Sequence, residues 1–186
     1  MKIDYIEKID KTYKELLRIK RKIKSMQNSK NSIKKLDDIN VYKNYAVILA
    51  YGCLENITKN IIADYYKDLN MPLRCQNFAS NLLSDNYSLS IKKEAINNFI
   101  KKECSVQWFD EIKRREDNQI KDKKYKKYTL KQMYISVNFI FVERCKFAHG
   151  ESSYLGTINE FIDNFIRAKA WLYELDNIVN NKKLKG

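Results

Sequence analysis

The sequence predicts an all-α fold. Two observations carry this: 186 residues hold only 4 Gly and 1 Pro, too little punctuation for the many turns of a β fold. Apolar residues also recur at spacings of three and four through several long stretches, the period of an amphipathic helix. Hydrophobic residues make up 44% of the chain against 32% charged, enough for a core and too many for a disordered chain. The length suits one domain spanning 1–186.

The first element, about 3–27, carries Ile3, Ile6, Ile9, Tyr13, Leu16, Leu17, Ile19 and Ile23 on one face, with lysines opposite. A polar break at Asn28–Ser32 ends it. The most apolar long helix follows at about 41–67, with Tyr45, Ile48, Leu49, Gly52, Cys53, Ile57, Ile61 and Tyr65 on one broad face that is expected to cross the core. Asn70-Met71-Pro72 stops it, because proline lacks the amide and restricts the residue before it.

Residues 73–127 are more polar and shorter in pattern, with helices expected near 76–84, 90–102 and 106–116, the last containing Trp108 and Phe109. They form an inserted helical layer between core helices. It ends in a basic run, Lys121 to Tyr128, whose Lys123, Lys124, Tyr125, Lys126 and Lys127 are candidate RNA contacts on an exposed loop. Tyr125 and Tyr128 could stack on bases.

Helical period returns over 129–148 through Leu130, Met133, Tyr134, Val137, Ile140 and Phe141, with Gly150 as the C-terminal cap. Thr157-Ile158-Asn159-Glu160 is a Thr-x-x-Glu capping box that opens a last helix, 157–180, through Phe161, Phe165, Ala168, Trp171, Leu172 and Leu175. The last two helices read as an antiparallel pair.

Thirty-six Lys and Arg against 23 Asp and Glu give a net charge of +13, which favours polyanionic partners, nucleic acid before membrane surface. Part of that charge reflects heavy overall use of lysine. Cys53, Cys75, Cys104 and Cys145 are far apart, without a CxxC pair and with one His in the chain, so neither a metal site nor a cofactor is expected. With no secretory leader and no stretch near the ~20 apolar residues of a membrane span, a cytoplasmic protein with reduced thiols is expected.

Chemistry concentrates at Glu143-Arg144-Cys145-Lys146-Phe147-Ala148-His149-Gly150. Histidine exchanges protons near neutrality, and arginine offers a fixed fork of donors matched to phosphate. Five residues of helix rise about 7 to 8 Å, so Arg144 and His149 could serve one phosphate if the last turn loosens. Alternatively His149 faces the helix dipole and Arg144 forms an ion pair, Glu55 being a candidate partner.

This stretch resembles the Arg-x(4 to 6)-His motif of the HEPN superfamily, in particular the RiboL-PSP-HEPN-like endoribonucleases. Arg144 and His149 fall on the motif's Arg and His, the Ala-His-Gly ending is frequent in the family, and the 157–180 helix supplies its closing element. Tyr51-Gly52-Cys53-Leu54-Glu55-Asn56 resembles the acidic position the family often carries on an earlier helix. Glu55 could equally pair with Lys59. The resemblance is carried by 41–67 and 129–180, with the N-terminal helix and the middle layer unmatched.

It implies a HEPN-like bundle and metal-independent RNA cleavage by 2′-hydroxyl attack, with Arg144 and His149 catalytic and Glu55 and Cys145 supporting. Lys146 joins the candidate RNA contacts. It also implies a homodimer with a composite active site, since one His per chain cannot be both base and acid. The role implied is a toxin or anti-phage effector, with an antitoxin protein as partner. Cys145 departs from the polar residue often found after the Arg, and a thiol is a poor donor. The alternative is an inactive HEPN-like adaptor or RNA-binding module. A DNA-binding protein ranks last, for want of a reader motif.

Overall fold

The structure is a computed structural model that describes residues 1–28, 33–68, 73, 76–77, 128–150 and 154–183. Four long helices make up nearly all of them: α1 (Ile3–Gln27), α2 (Ile33–Asp68), α3 (Leu130–Ala148) and α4 (Ile158–Lys183). The fold is all-α, as expected. Of the inserted layer, Leu73, Gln76 and Asn77 are helical, and the rest, including Trp108, Phe109 and the basic run through Lys127, lies outside the described residues.

α2 begins eight residues before the expected position. Nothing between Lys34 and Val41 stops a helix, and Ile39 is buried there, which anchors the added turns in the core.

The helices run alternately up and down. Tyr5 donates a hydrogen bond to Asp64 while the Lys22 ammonium lies over the Tyr42 ring, so α1 and α2 are antiparallel. α3 and α4 are antiparallel too: Tyr134 packs on Trp171 with ring centroids 4.5 Å apart, and Phe139 meets Phe161 at 6.3 Å. Lys169 over Tyr13 and the Met1 amino group on Asp176 join α4 to α1. α2 also packs on α4 across the bundle.

One core fills the centre. α1 contributes Ile9, Leu16 and Ile23, α2 contributes Leu54, Ile57 and Ile61, α3 contributes Met133 and Ile140, and α4 contributes Phe161, Phe165 and Trp171. The expected faces need two corrections. Ile3 is 73% exposed at the start of α1, and Tyr45 and Ile48, expected in the core, are 47% and 46% exposed.

The reason is geometric: among the described residues α2 is flanked by α1, α3 and α4, which leaves one of its sides without a neighbouring helix. Ala46, Val47, Ala50, Cys53, Leu54 and Ile57 take the covered sides. Val41, Tyr45, Ile48 and Gly52, spaced by three and four, form the uncovered stripe.

The expected capping box closes, and a second one forms at the start of α3. The Thr157 amide donates to Glu160 Oε2 at 2.9 Å while the Glu160 amide donates to Thr157 Oγ1 at 3.2 Å. Thr129 and Gln132 repeat the arrangement at the start of α3. Hydrogen bonds to the Glu160 carboxyl, first from the Thr157 backbone and then from its side chain, hold it below its ordinary value.

A carboxylate with a depressed folded-state pKa contributes stability above its ordinary value, and that contribution is lost as pH falls through the folded value. Separately, Thr157→Ala removes the N-cap hydroxyl and is expected to cost about 1 kcal/mol. Glu160→Gln should flatten the acid limb of the stability curve below the ordinary glutamate pKa of 4.5. Urea unfolding followed at a series of pH values checks both.

Candidate active site at the end of the third helix

The motif occupies the C-terminal end of α3, with His149 as its C-cap. The His149 amide donates to the Cys145 carbonyl at 3.0 Å, an α-helical bond, and the Gly150 amide donates to the Phe147 carbonyl at 3.1 Å. The turn keeps its backbone hydrogen bonding in this structure, and both side chains would serve one phosphate only if it loosened. Five positions at about 100° each leave Arg144 and His149 pointing about 140° apart. Gly150 has φ +70°, the left-handed region, where any other L-residue adds about 1–2 kcal/mol of strain. That is why the helix ends at a glycine.

The segment after the motif is tied back to α2. The Tyr154 amide donates to Asn44 Oδ1 at 3.3 Å, and its buried ring meets Phe139 and Phe161 edge-on at 5.8 and 5.6 Å. Gly156 has to be glycine for a different reason: a Cβ there would overlap the Tyr154 side chain. Tyr154 is thus fixed against the first third of α2.

Arg144 is exposed, and its guanidinium carbon lies over the Tyr51 ring, 5.2 Å from the centroid. Tyr51 is half-buried and backed by Phe141, at 6.2 Å. Burial, then the charge of Glu55, push the Tyr51 hydroxyl up to about 12, against a smaller lowering by Arg144. It stays a neutral phenol at physiological pH and cannot act as a base.

The carboxylates nearby are matched to lysines. Glu55 Oε1 accepts Lys59 at 3.2 Å, the alternative pairing noted from the sequence, and Glu143 Oε1 accepts Lys146 at 2.8 Å. Among the described residues the Arg144 guanidinium has no hydrogen-bond or ion-pair partner, and neither has the exposed His149 imidazole. Lys146 reaches the site already paired to Glu143. Cys145 is a free, partly buried thiol, close enough to Tyr51 to act on it electrostatically.

Tyr128, read as an exposed stacking residue, instead packs partly buried against the core. Lys123, Lys124, Tyr125, Lys126 and Lys127 lie outside the described residues. Tyr51 is the residue the sequence reading passed over. Its signal was its place one helical turn before Glu55, on the same face.

An all-α bundle is the fold the resemblance implied. The sequence profile of RiboL-PSP-HEPN matches residues 14–181. The chain belongs to the RiboL-PSP-HEPN family. The match is wider than the resemblance read from the residues, since it takes in most of α1 and all of the segment between α2 and α3. Comparisons with curated proteins and with solved structures each gave no match.

Among the described residues of this RiboL-PSP-HEPN chain, no three His, Cys, Asp or Glu side chains come together as metal ligands. No helix among them is long and apolar enough to cross a membrane.

Proposed function

We propose that the chain is an endoribonuclease of the cytoplasm that cleaves RNA without a metal, as a toxin or anti-phage effector. Arg144 holds the scissile phosphate. The ribose 2′-hydroxyl loses its proton to one imidazole and attacks phosphorus, the bond to the 5′-oxygen breaks, and a second imidazole returns a proton to that oxygen. A 2′,3′-cyclic phosphate and a free 5′-hydroxyl result.

The observation that carries this reading is the state of Arg144. It is exposed on a helix end, its neighbours Glu55 and Glu143 are matched to Lys59 and Lys146, and its N–H donors are uncommitted among the described residues. Such a guanidinium fits a phosphate, and the net charge of +13 would draw RNA to it. Membership of a HEPN family supports an RNA-related role.

The second imidazole would come from a homodimer. The single His149 and its divergence from Arg144 support a composite site. So does the uncovered apolar stripe Val41, Tyr45 and Ile48, on the helix that carries Tyr51 and Glu55. The roles proposed for Glu55 and Cys145 are supporting ones at Tyr51 and Arg144. The candidate RNA contacts are Lys146 and the run from Lys123 to Lys127, and an antitoxin protein would be the natural antidote.

The test is purified protein with mixed RNA in EDTA, beside Arg144→Ala and His149→Ala. Cleavage by wild type and its loss in both variants is the expected outcome. Intact RNA throughout would favour an inactive adaptor, and undiminished cutting by both variants would dismiss the assigned site.

A further inference from the structure

We propose that Tyr51 is the positioning residue for Arg144: its ring face holds the guanidinium in place while leaving the in-plane N–H donors for a phosphate. This rests on the reading of Arg144 as the phosphate-binding residue.

A cationic side chain at an exposed helix end can be fixed in two ways. A carboxylate partner would occupy the N–H donors and cancel the charge that a phosphate needs. An aromatic face attracts the cation through the ring quadrupole and engages none of those donors in hydrogen bonds. In this chain Glu143, next to Arg144, and Glu55, whose charge acts on Tyr51, are paired with Lys146 and Lys59, and among the described residues the contact made by Arg144 is with the Tyr51 ring at 5.2 Å.

Tyr51 is built to be rigid. It sits on α2, one turn before Glu55, half-buried, with Phe141 of α3 against it at 6.2 Å. Phe141 and Arg144 are three residues apart on α3 and so neighbours on its surface. The ring therefore meets both, and it also joins the two helices. With its phenol neutral, the ring adds no charge of its own to the site. Holding one rotamer of a long side chain before RNA arrives lowers the ordering cost of binding.

The contact is a property of the ring and not of the hydroxyl, so Tyr51→Phe should preserve it and Tyr51→Leu should remove it. Three readouts separate this from a purely structural role. The first needs no RNA. In a ¹⁵N-resolved NMR spectrum the Arg144 side-chain Nε–H should carry a ring-current shift that persists in Tyr51→Phe and collapses in Tyr51→Leu.

The second is binding of an RNA oligomer blocked by 2′-O-methylation. Tyr51→Leu should weaken it about two- to fivefold, the range of an exposed cation–π contact, with Tyr51→Phe close to wild type. The third is the double variant. If Tyr51 acts through Arg144, Tyr51→Leu adds nothing in an Arg144→Ala background.

An unshifted Arg144 Nε–H in wild type overturns the proposal. So does a Tyr51→Leu loss that is equally large without Arg144, or a Tyr51→Phe loss as large as that of Tyr51→Leu. Ring-current and binding effects that follow this pattern in a protein that cuts no RNA would support the positioning role while ending the catalytic reading.

Discussion

His149→Ala is expected to lower RNA cleavage by about 10²- to 10⁴-fold, the usual contribution of a general acid or base. His149 is the only histidine in the chain, so no neighbouring imidazole can take over within the subunit. On the two-imidazole scheme the loss is also dominant. A dimer with one wild-type and one His149→Ala subunit retains one imidazole for two proton transfers and should be nearly silent.

Exchanging variant into wild-type protein should then lower activity as the square of the wild-type fraction. A linear fall would mean that each subunit works alone. Rates measured across a mixing series decide between the two, provided that subunits are allowed to exchange beforehand and that unfolding curves of the variant match wild type.

The second large effect is on stability. Trp171→Ala should cost about 3–5 kcal/mol, the range for truncating a large aromatic in a packed core. Trp171 is 1% exposed and its ring packs at a tilt against Tyr134, centroids 4.5 Å apart, at the α3–α4 contact. Removing it leaves a cavity where the closing helix meets the helix that carries the motif.

Trp171→Phe should cost less, because it keeps a ring in the site and removes an indole N–H that has no partner among the described residues. Chemical denaturation of the three proteins checks the order. Trp171→Ala within about 1 kcal/mol of wild type would mean that α4 is held mainly elsewhere.

The boundaries of α1, α3 and α4 were legible because each is marked by local chemistry. The polar break after Gln27, the glycine at 150 and the Thr157–Glu160 box satisfy or end backbone hydrogen bonding within a few residues, which sequence displays directly. The Thr129–Gln132 box was equally visible in the sequence and went unread.

The faces of α2 were less legible. Periodicity reports that a residue is apolar, and α2 carries more apolar residues than its three covered sides accommodate. Which stripe stays outside depended on where α1, α3 and α4 come to lie, a property of the bundle that no local pattern in α2 contains. Tyr45 and Ile48 were misplaced for that reason.

The site divides the same way. Arg144, His149 and Gly150 could be read from spacing, since they lie within seven consecutive residues. The Tyr51 contact could not, because it joins residues 93 positions apart and forms only when α2 and α3 pack. The pairing of Glu55 with Lys59 followed the local i,i+4 rule and was foreseeable.

The most direct test of the central claim is the chemistry of the cut. An RNA oligomer with a single ribonucleotide at the cleavage site, the remainder being 2′-deoxy, would be incubated with the protein in EDTA and its ends determined by mass spectrometry. One cut, with a 2′,3′-cyclic phosphate on one fragment and a 5′-hydroxyl on the other, is the expected result. Cleavage that persists when that one 2′-hydroxyl is also removed, or that leaves a 5′-phosphate, would contradict it.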